Sequence, residues 1–511
     1  DNILTYNKQI GDHSFTVTGL TSYTHRTSEN YGMSGTGLLY SSQLFYALSG
    51  APNNRFITSN YVQTDNMSYA GRINYAYKGK YLLTVTERVD GASILSTGHK
   101  WASFPSAAAA WRISDESFME HVNPVSNLKL RFSYGVAGNS GIPAYGTQSV
   151  LNVQNMGFEN TAAPAYIFNS TIGNVALSWE LSKTADLGID LGLFKNRIDL
   201  SVDVYNTNTS DILLLRTLPS SLGIANSYQN VGTSRNRGIE VALNTRNFDG
   251  PRFKWMSTVT FMSNQERITG LINGTNIIDK SASETNSLLI GHPVHSFYNY
   301  VKEGIWQTAD AAKAGALVFG TTPFKPGDIK LRDINGDGKI TPDSDRVYIG
   351  STVPKWSLGF SNTFQFAGFD LTVYAIARYG QMINDKVLGR YNPAGQGNNG
   401  PGYFDYWTPT NPSNDYPAPK ANSSLTIYPG NTTVQYVDGS YFKLKTATLG
   451  YTLPPSVAKK AYMSSLRAYV TCNNIFVKAK SRLIKNYDPE RGGDEDAPLS
   501  RQLVFGLNIG F

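Results

Sequence analysis

The segment that decides the fold is residues 66–90, NMSYAGRINYAYKGKYLLTVTERVD. Tyr69, Ile73 and Tyr77 alternate with polar or small residues, and the same alternation resumes after a turn at 78–79. A period of two is typical of a β-strand with one apolar and one polar face, because successive side chains point to opposite sides. The segment therefore predicts a β-hairpin.

The same alternation recurs along the whole chain and predicts about 15 strands. Their approximate bounds are residues 3–10, 13–27, 66–77, 80–90, 101–112, 128–138, 179–194, 197–208, 237–247, 252–263, 356–366, 369–379, 439–451, 464–474 and 501–511. Strand lengths of about 10–13 residues fit the 9–11 residues that a tilted strand needs to cross a bilayer.

The connections between these segments alternate between two kinds. Short or modest ones follow the odd-numbered strands, at residues 11–12, 78–79, 113–127, 195–196, 248–251, 367–368 and 452–463. Most of the others are long, at residues 28–65, 139–178, 209–236, 264–355, 380–438 and 475–500. Short periplasmic turns and long outer loops are typical of a transmembrane β-barrel. The predicted fold is therefore all-β: a transmembrane antiparallel β-barrel over residues 1–511, with the long connections extracellular.

Composition excludes several other classes of protein. Of 511 residues only 16% are charged and 12% are aromatic, and the net charge is +7. The single cysteine, Cys472, excludes a disulfide framework within the chain and any cysteine-based structural zinc site. Basic residues form no blocks, which argues against nucleic-acid binding. No apolar run reaches about 18 residues, so no transmembrane helix is predicted.

The C-terminal segment supports the barrel. Leu503, Phe505, Leu507 and Ile509 alternate on one face, and the chain ends in Phe511. This pattern resembles the terminal strand that the outer-membrane assembly machinery recognises, although a terminal strand of a soluble sheet has the same alternation. Bacterial barrels have even strand numbers, and an open sheet edge is not tolerated in lipid. We therefore expect the chain to be the C-terminal part of a larger barrel that begins near an extracellular loop.

Several sequence blocks resemble, in order, those of SusC/RagA-type TonB-dependent outer-membrane transporters. The blocks are Glu87 to Ser93, Trp101 to Ser106, Ala110 to Ile113, Leu128 to Gly135, Leu177 to Glu180, Asp203 to Asn206, Asn230 to Gly232, Asn236 to Glu240, Gly327 to Gly350, Tyr406 to Pro409, Ser440 to Leu444, Asn473 to Phe476 and Tyr487 to Glu490. They cover most of the chain from about residue 65 onward.

This resemblance implies a barrel of about 22 strands, of which the chain holds about 15. The plug domain, the TonB-contacting segment and the remaining N-terminal strands would lie outside this chain. The resemblance also implies a bacterial outer-membrane location, a SusD-like surface lipoprotein as partner, and energy supplied through TonB. It further implies an oligosaccharide cargo, with peptide as the alternative.

The stretch from Asp333 to Thr341 matches the first nine positions of an EF-hand-type calcium loop. Side-chain oxygens of Asp333, Asn335 and Asp337 and the carbonyl oxygen of Lys339 suit Ca²⁺. Position twelve is Ser344, so the flanking Asp343 or Asp345 would have to complete the shell. A structural calcium ion is therefore predicted; the alternative is a polar surface turn without metal.

Aromatic and polar residues cluster in the 380–438 connection, where Tyr403, Phe404, Asp405, Tyr406 and Trp407 are consecutive. Sugar rings stack on aromatic faces, and carboxylates accept bonds from sugar hydroxyls. These five residues are therefore candidates for glycan binding, while a packed outer loop is the simpler interpretation of each.

No catalytic constellation is found in the sequence. His292 and His295 are three residues apart without an evident third ligand, and surface histidines explain them better than zinc. The sequence therefore favours nutrient import over catalysis. Polar strand positions would line the lumen, such as Arg72, Asn74, Asp199 and Asp203. Two other classes stay open: a passive porin or adhesin barrel, and a secreted soluble glycan-binding protein.

Overall fold

The hairpin predicted for residues 66–90 is present in the computed structural model. Tyr77 pairs with Tyr81, and the turn between them has positive φ at Lys78 (53°) and Gly79 (67°). Left-handed residues give a tight turn the twist that antiparallel strands require.

The structure describes residues 1–158, 161–168, 170–278, 287–390, 404–419, 431–485, 487–493 and 499–511. The strands in the first half of the chain are β1 (Asn2–Ile10), β2 (His13–Thr36), β3 (Asn53–Tyr77), β4 (Tyr81–Ala92), β5 (Trp101–Ser103), β6 (Ser106–Arg112), β7 (Val125–Asn139), β8 (Leu151–Phe158), β9 (Thr161–Phe168), β10 (Thr171–Ile172), β11 (Glu180–Leu193), β12 (Ile198–Thr217), β13 (Asn226–Asp249) and β14 (Phe253–Leu271).

The strands in the second half are β15 (Ser296–Tyr300), β16 (Lys302–Ile305), β17 (Val318–Phe319), β18 (Thr322–Pro323), β19 (Ile329–Leu331), β20 (Lys339–Ile340), β21 (Arg346–Ser351), β22 (Trp356–Phe366), β23 (Phe369–Tyr379), β24 (Met382–Asn384), β25 (Tyr436–Asp438), β26 (Tyr441–Thr452), β27 (Ser465–Ala479) and β28 (Gln502–Gly510).

Helices are short. The α-helices are α1 (Ala311–Ala316), α2 (Lys386–Arg390) and α3 (Pro455–Ala458). The 3-10 helices are Ser41–Gly50, Ile113–Asp115, Ser117–Met119, Ser220–Leu222, Ile272–Gly274, Thr308–Asp310, Asn431–Gln435, Lys459–Ala461, Arg482–Ile484 and Pro489–Arg491. Among the described residues, no helix combines the length and the apolarity needed to cross a membrane.

Over the residues that the structure describes, seventeen strands belong to the large sheet, and they account for all the predicted segments. The predicted strand 101–112 is divided into β5 and β6, which both pair with β4. Pro105 lies at the break. Proline has no backbone N–H to donate to a neighbouring strand, so the pairing is interrupted there. The other addition is the two-residue β10, which pairs in parallel with β13.

The chain divides into two compact units. The first comprises Asp1–Arg112, Arg131–Asp186 and Thr207–Ser234. Within it β1, β2, β3 and β4 pair consecutively and antiparallel. The second comprises Ile113–Leu130, Leu187–Asn206 and Arg235–Phe511. Within it the antiparallel order is β14, β22, β23, β26, β27 and β28.

Two of the predicted long loops are mostly strand, which corrects their bounds. β2 and β3 continue their pairing through the predicted 28–65 loop as far as Thr36 and Asn53. Likewise, β12 and β13 extend into the predicted 209–236 loop. An extended hairpin beyond the bilayer meets water on both faces, so it needs no apolar alternation. The periodicity that predicts the strands therefore ends before the strands do.

The connection between β14 and β22 folds around an apolar core that it shares with the connection between β23 and β26, and we call this the outer-loop core. Its buried members are Tyr300, Ile305, Trp306, Ala314, Phe324, Ile329, Leu331, Ile340, Trp407 and Val434. Burying a large apolar side chain contributes about 1.5–3 kcal/mol, so this set can hold the connection in a defined shape.

Lys302 lies on β16 beside this core, and its ammonium group donates a hydrogen bond to the carbonyl oxygen of Asp415. Burial lowers the pKa of Lys302 to about 8, although the nearby Asp415 carboxylate acts in the opposite direction. A lysine with such a pKa is partly neutral in mildly alkaline solution.

Alkaline pH should therefore stabilise the outer-loop core. Between about 8 and the ordinary lysine value of 10.5, the unfolded chain binds the Lys302 proton more tightly than the folded chain does. The free energy of unfolding of this region should rise with pH in that window. Urea unfolding followed by tryptophan fluorescence would measure the rise, and Lys302→Met should abolish it.

Lys313→Met is the matched control, since Lys313 is an exposed lysine on α1. That variant should keep the wild-type dependence on pH. An unchanged pH dependence in Lys302→Met would contradict the assignment.

Candidate functional site

The two faces of the large sheet differ in chemistry. In the second unit, Leu358, Phe360 and Phe366 alternate on one face of β22, while Ser361 and Thr363 occupy the other. Phe360 and Phe366 remain 43% and 58% exposed, as expected for side chains that face lipid. We call these the apolar face and the polar face.

Hydrogen bonds between neighbouring strands hold the polar face together. Hydroxyl pairs cross between Thr363 and Thr372 (3.1 Å) and between Thr448 and Thr471 (2.9 Å). The guanidinium group of Arg467 donates to both carboxylate oxygens of Asp370. These contacts satisfy polar groups on the side of the sheet that faces away from the apolar residues.

The residues predicted to line the lumen form side-chain hydrogen bonds within their own units or share the parity of residues that do. In the first unit, Arg72 donates to Thr86 at 3.2 Å and Asn74 accepts from Thr84 at 2.9 Å. In the second unit, Asp203 accepts from Ser201 at 3.3 Å, and Asp199 has the same parity on β12.

A cavity of about 440 Å³, which we call the inner cavity, opens on the polar face of the second unit. Its wall includes Asp203, Glu240, Tyr374, Arg378 and Lys445. With Glu490, which also lines it, three carboxylates, a guanidinium group, an ammonium group and an aromatic ring border one space. This combination can bind hydroxyl groups and stack against a sugar ring.

Tyr374 is an aromatic residue on the polar face that lines the inner cavity, and no sequence motif singles it out. Its side chain crosses Gly359, where an added Cβ would come within 3.4 Å of the Tyr374 hydroxyl oxygen. The sequence does show that Tyr374 belongs to the polar face, because on β23 it lies between Val373 and Ala375, which have the apolar parity. Sequence reasoning misses it because no rule ranks one polar-face residue above the others.

A buried ion cluster joins this wall to the last long connection. Lys443, which is only 1% exposed, donates to Asp488 and to Glu490, both at 2.6 Å, and Lys445 also binds Glu490. Burial alone would raise the pKa of Glu490, but the hydrogen bonds from the two lysines outweigh it and hold that pKa below its ordinary value. A buried charge of this kind is tolerated only when it is paired.

The predicted calcium loop has the hydrogen-bond pattern of a tight acidic turn. The Asp333 carboxylate accepts from the backbone N–H groups of Gly336 (2.7 Å) and Gly338 (2.8 Å). Asp337 accepts from the N–H of Lys339 at 2.8 Å and from the Asn335 amide at 2.9 Å. These bonds, with that from Asn335 first in importance, lower the pKa of Asp337, so this carboxylate is charged at neutral pH.

The two flanking aspartates are placed differently. Asp345 is fully buried, and its carboxylate accepts from the N–H groups of Ile334 (2.9 Å) and Thr341 (2.7 Å). Asp343 is exposed. Within the described part of the chain, no group of three or more His, Cys, Asp or Glu side chains is arranged to hold a metal ion. The predicted calcium loop also uses two oxygen ligands outside these residue types, the side-chain oxygen of Asn335 and the backbone carbonyl oxygen of Lys339. Calcium binding therefore stays a prediction.

The predicted aromatic ligand residues are mostly used in packing. Tyr403 lies outside the described residues. The ring of Phe404 stacks on Tyr416, with 4.4 Å between centroids. Trp407 is 6% exposed within the outer-loop core, and its indole N–H donates to Gln307 at 2.9 Å.

The other two residues of this set differ. Asp405 accepts hydrogen bonds from Asn411 and Ser413, which lower its pKa. Tyr406, 45% exposed, is therefore the described aromatic residue of the set that a ligand could reach.

His292 and His295, the histidine pair noted in the sequence, make packing and backbone contacts. His292 stacks on Tyr348 with 4.1 Å between ring centroids, and burial lowers its pKa. The backbone carbonyl of His295 accepts a hydrogen bond from Ser351 at 2.9 Å.

Comparison with known proteins identifies the family. The family model described as "TonB dependent receptor-like, beta-barrel" matches residues 1–475. The chain is 32% identical over 519 residues to TonB-dependent receptor P3 of Formosa agariphila, which covers 100% of this chain and 50% of that protein. It is 26% identical over 482 residues to TonB-dependent receptor SusC of Bacteroides thetaiotaomicron, an alignment that covers 87% of this chain and 44% of that protein. The chain thus spans about half the length of the curated relatives it matches.

A solved structure has the same fold. The RagAB peptide transporter structure superposes with a TM-score of 0.83 at 24% identity, covering 100% of this chain and 55% of that one. An all-β chain with alternating apolar and polar faces, matched along most of its length by a single family, allows one conclusion. The chain belongs to the TonB-dependent receptor-like β-barrel family of the outer membrane.

Proposed function

We propose that this chain forms the barrel of a TonB-dependent importer that carries oligosaccharides across the outer membrane. The observation that carries the proposal is the inner cavity, where Tyr374 offers a ring face beside Asp203, Glu240 and Arg378. Glycans are bound by this combination of aromatic stacking and charged hydrogen-bond partners. The sequence resemblance to SusC/RagA-type transporters, which implies an oligosaccharide cargo, supports it.

Two partners are part of the proposal. The sequence resemblance to SusC/RagA-type transporters implies a SusD-like surface lipoprotein over the outer loops. The curated relatives are named TonB-dependent receptors, and TonB would act through a segment that precedes the barrel. Substrate released by the lipoprotein would meet Tyr406 and then the polar face.

A peptide cargo is the second candidate. The RagAB structure is of a peptide transporter, and the inner cavity holds both carboxylate and cationic groups that could pair with peptide termini. An identity of 24% supports the fold and leaves the cargo to experiment. A passive porin is disfavoured because the matching family is that of TonB-dependent receptors.

Calcium has a structural place in this proposal. The oxygens of Asp333, Asn335, Asp337 and the Lys339 carbonyl would hold the ion, with Asp343 or Asp345 supplying a further oxygen. The donors are all hard oxygens, and the turn that carries them is already bent by positive φ at Gly336 and Gly338, which fits Ca²⁺. The ion would stiffen the connection next to the outer-loop core.

Removing a ring from the inner cavity should distinguish the cargo classes. In the full-length protein, Tyr374→Ala should weaken binding to oligosaccharides on a glycan array by about tenfold, the loss of one stacking contact of ~1.5 kcal/mol. Tyr374→Phe keeps the ring and should bind nearly as the wild type does. Binding to a peptide library but to no glycan would favour the second candidate, and binding to neither would contradict import of both.

Calcium should raise the thermal unfolding temperature of the wild-type protein, because a ligand that binds only the folded state stabilises it. Asp333→Asn with Asp337→Asn should abolish both this shift and the heat of calcium binding in titration calorimetry. Asp310→Asn, which removes a carboxylate from a neighbouring 3-10 helix, is the matched control and should leave both intact. No binding heat in the wild type would refute the calcium site.

A further inference from the structure

A second and larger cavity, of about 950 Å³, lies at the outer ends of β14, β22 and β23. We call it the outer cleft. Arg237, Arg267, Trp356, Tyr379 and Lys480 are among its lining residues. The import route proposed above makes no use of this space.

Strand register places the outer cleft on the apolar face. Phe261 and Trp356 lie on that face with 6.4 Å between ring centroids, and Trp356 stacks on Tyr379 at 5.5 Å. Residues of β14 with the parity of Phe261 continue outward through Gln265 to Arg267. The cleft therefore opens on the opposite side of the sheet from the inner cavity.

Arg237 joins the same side from the neighbouring strand. Its guanidinium group donates to the side-chain oxygen of Gln265 at 3.1 Å and 3.0 Å. Two positions further into the strand, Ile239 is 36% exposed. The change from isoleucine to arginine along one face marks the level at which the sheet passes from the hydrocarbon region to the headgroup region.

Two aromatic side chains support placing the cleft at the boundary between the hydrocarbon and headgroup regions. Trp356 and Tyr379 lie below the arginines, and the ammonium group of Lys480 stands 4.8 Å from the Tyr379 ring centroid. Below them, Leu358 and Phe360 continue the apolar face. Aromatic rings of this kind gather at the membrane interface.

Cationic side chains outnumber acidic ones in the lining of the cleft, where Arg237, Arg267, Lys355 and Lys480 face the carboxylates of Glu266 and Asp438. Lys480 forms an ion pair with Asp438 at 2.6 Å, so part of its charge is balanced. Arg237 binds a neutral amide, and within the described ranges neither Arg237 nor Arg267 is within ion-pair distance of a carboxylate. A guanidinium fork suits the geometry of phosphate, and it binds more strongly where water is partly excluded.

We propose that the outer cleft binds the phosphorylated headgroup of a lipid in the outer leaflet. Arg237 and Arg267 hold the phosphate, Lys480 flanks it, and the acyl chains lie along Leu358 and Phe360. A soluble phosphate would use the arginines alone, whereas a lipid also covers the exposed apolar face beneath them. The volume is within the range of about 300–1,000 Å³ that is usual for small-molecule sites.

Native mass spectrometry of the full-length protein in mild detergent tests this site with diphosphorylated lipid A as the probe. The wild type should retain the lipid, and Arg237→Gln with Arg267→Gln should lower retention by about tenfold or more, because two charge-assisted contacts are lost. Arg237→Lys with Arg267→Lys keeps the charge without the fork and should give an intermediate value.

Arg378→Gln is the matched control, because Arg378 is adjacent to Tyr379 on β23 and has the opposite parity. It removes one positive charge at the same level and should leave retention unchanged. Dephosphorylated lipid should bind the wild type and the double variant equally and weakly.

Three results would overturn the proposal. The first is equal retention by the wild type and the double variant when both have the same unfolding temperature. The second is an equal loss in Arg378→Gln. The third is complete displacement of the lipid by millimolar inorganic phosphate, which would mark the cleft as a site for soluble anions.

Discussion

The constraint on which this structure depends is that a bilayer offers no hydrogen-bond partner to the peptide backbone. Each N–H and C=O within the membrane must pair with a neighbouring strand, which forces long antiparallel ladders such as β22 with β23. Once the ladder is fixed, successive side chains must face lipid and lumen in turn. The division into an apolar and a polar face, and hence the separation of the inner cavity from the outer cleft, follows from this alternation.

The outer connections obey a different rule because water surrounds them. Outside the bilayer, backbone groups can bind solvent, so shape has to come from apolar cores and local polar contacts. The outer-loop core supplies this shape to two connections: the one between β14 and β22 contributes Trp306, and the one between β23 and β26 contributes Trp407. Phe404 and Trp407, which the sequence offers as ligand-binding aromatics, instead pack against neighbouring side chains, whereas Tyr406 stays accessible.

The strands could be predicted from sequence because the membrane imposes a period of two that is visible in residues such as Tyr69, Ile73 and Tyr77. The ends of β2 and β3 could not, since above the bilayer no face needs to be apolar. The candidate site was harder for a related reason. Tyr374 shares the inner cavity with residues far away in the sequence, such as Asp203, and that proximity is created by the register of several strands.

The cluster of Lys443 with Asp488 and Glu490 has a consequence for how the protein is assembled. Lys443 belongs to β26, whereas both carboxylates come from the connection that follows β27. A lysine that is nearly inaccessible to water cannot remain charged without these partners. The order of synthesis and the order of completion therefore differ: β26 reaches its final environment only after the later connection has folded back beside it.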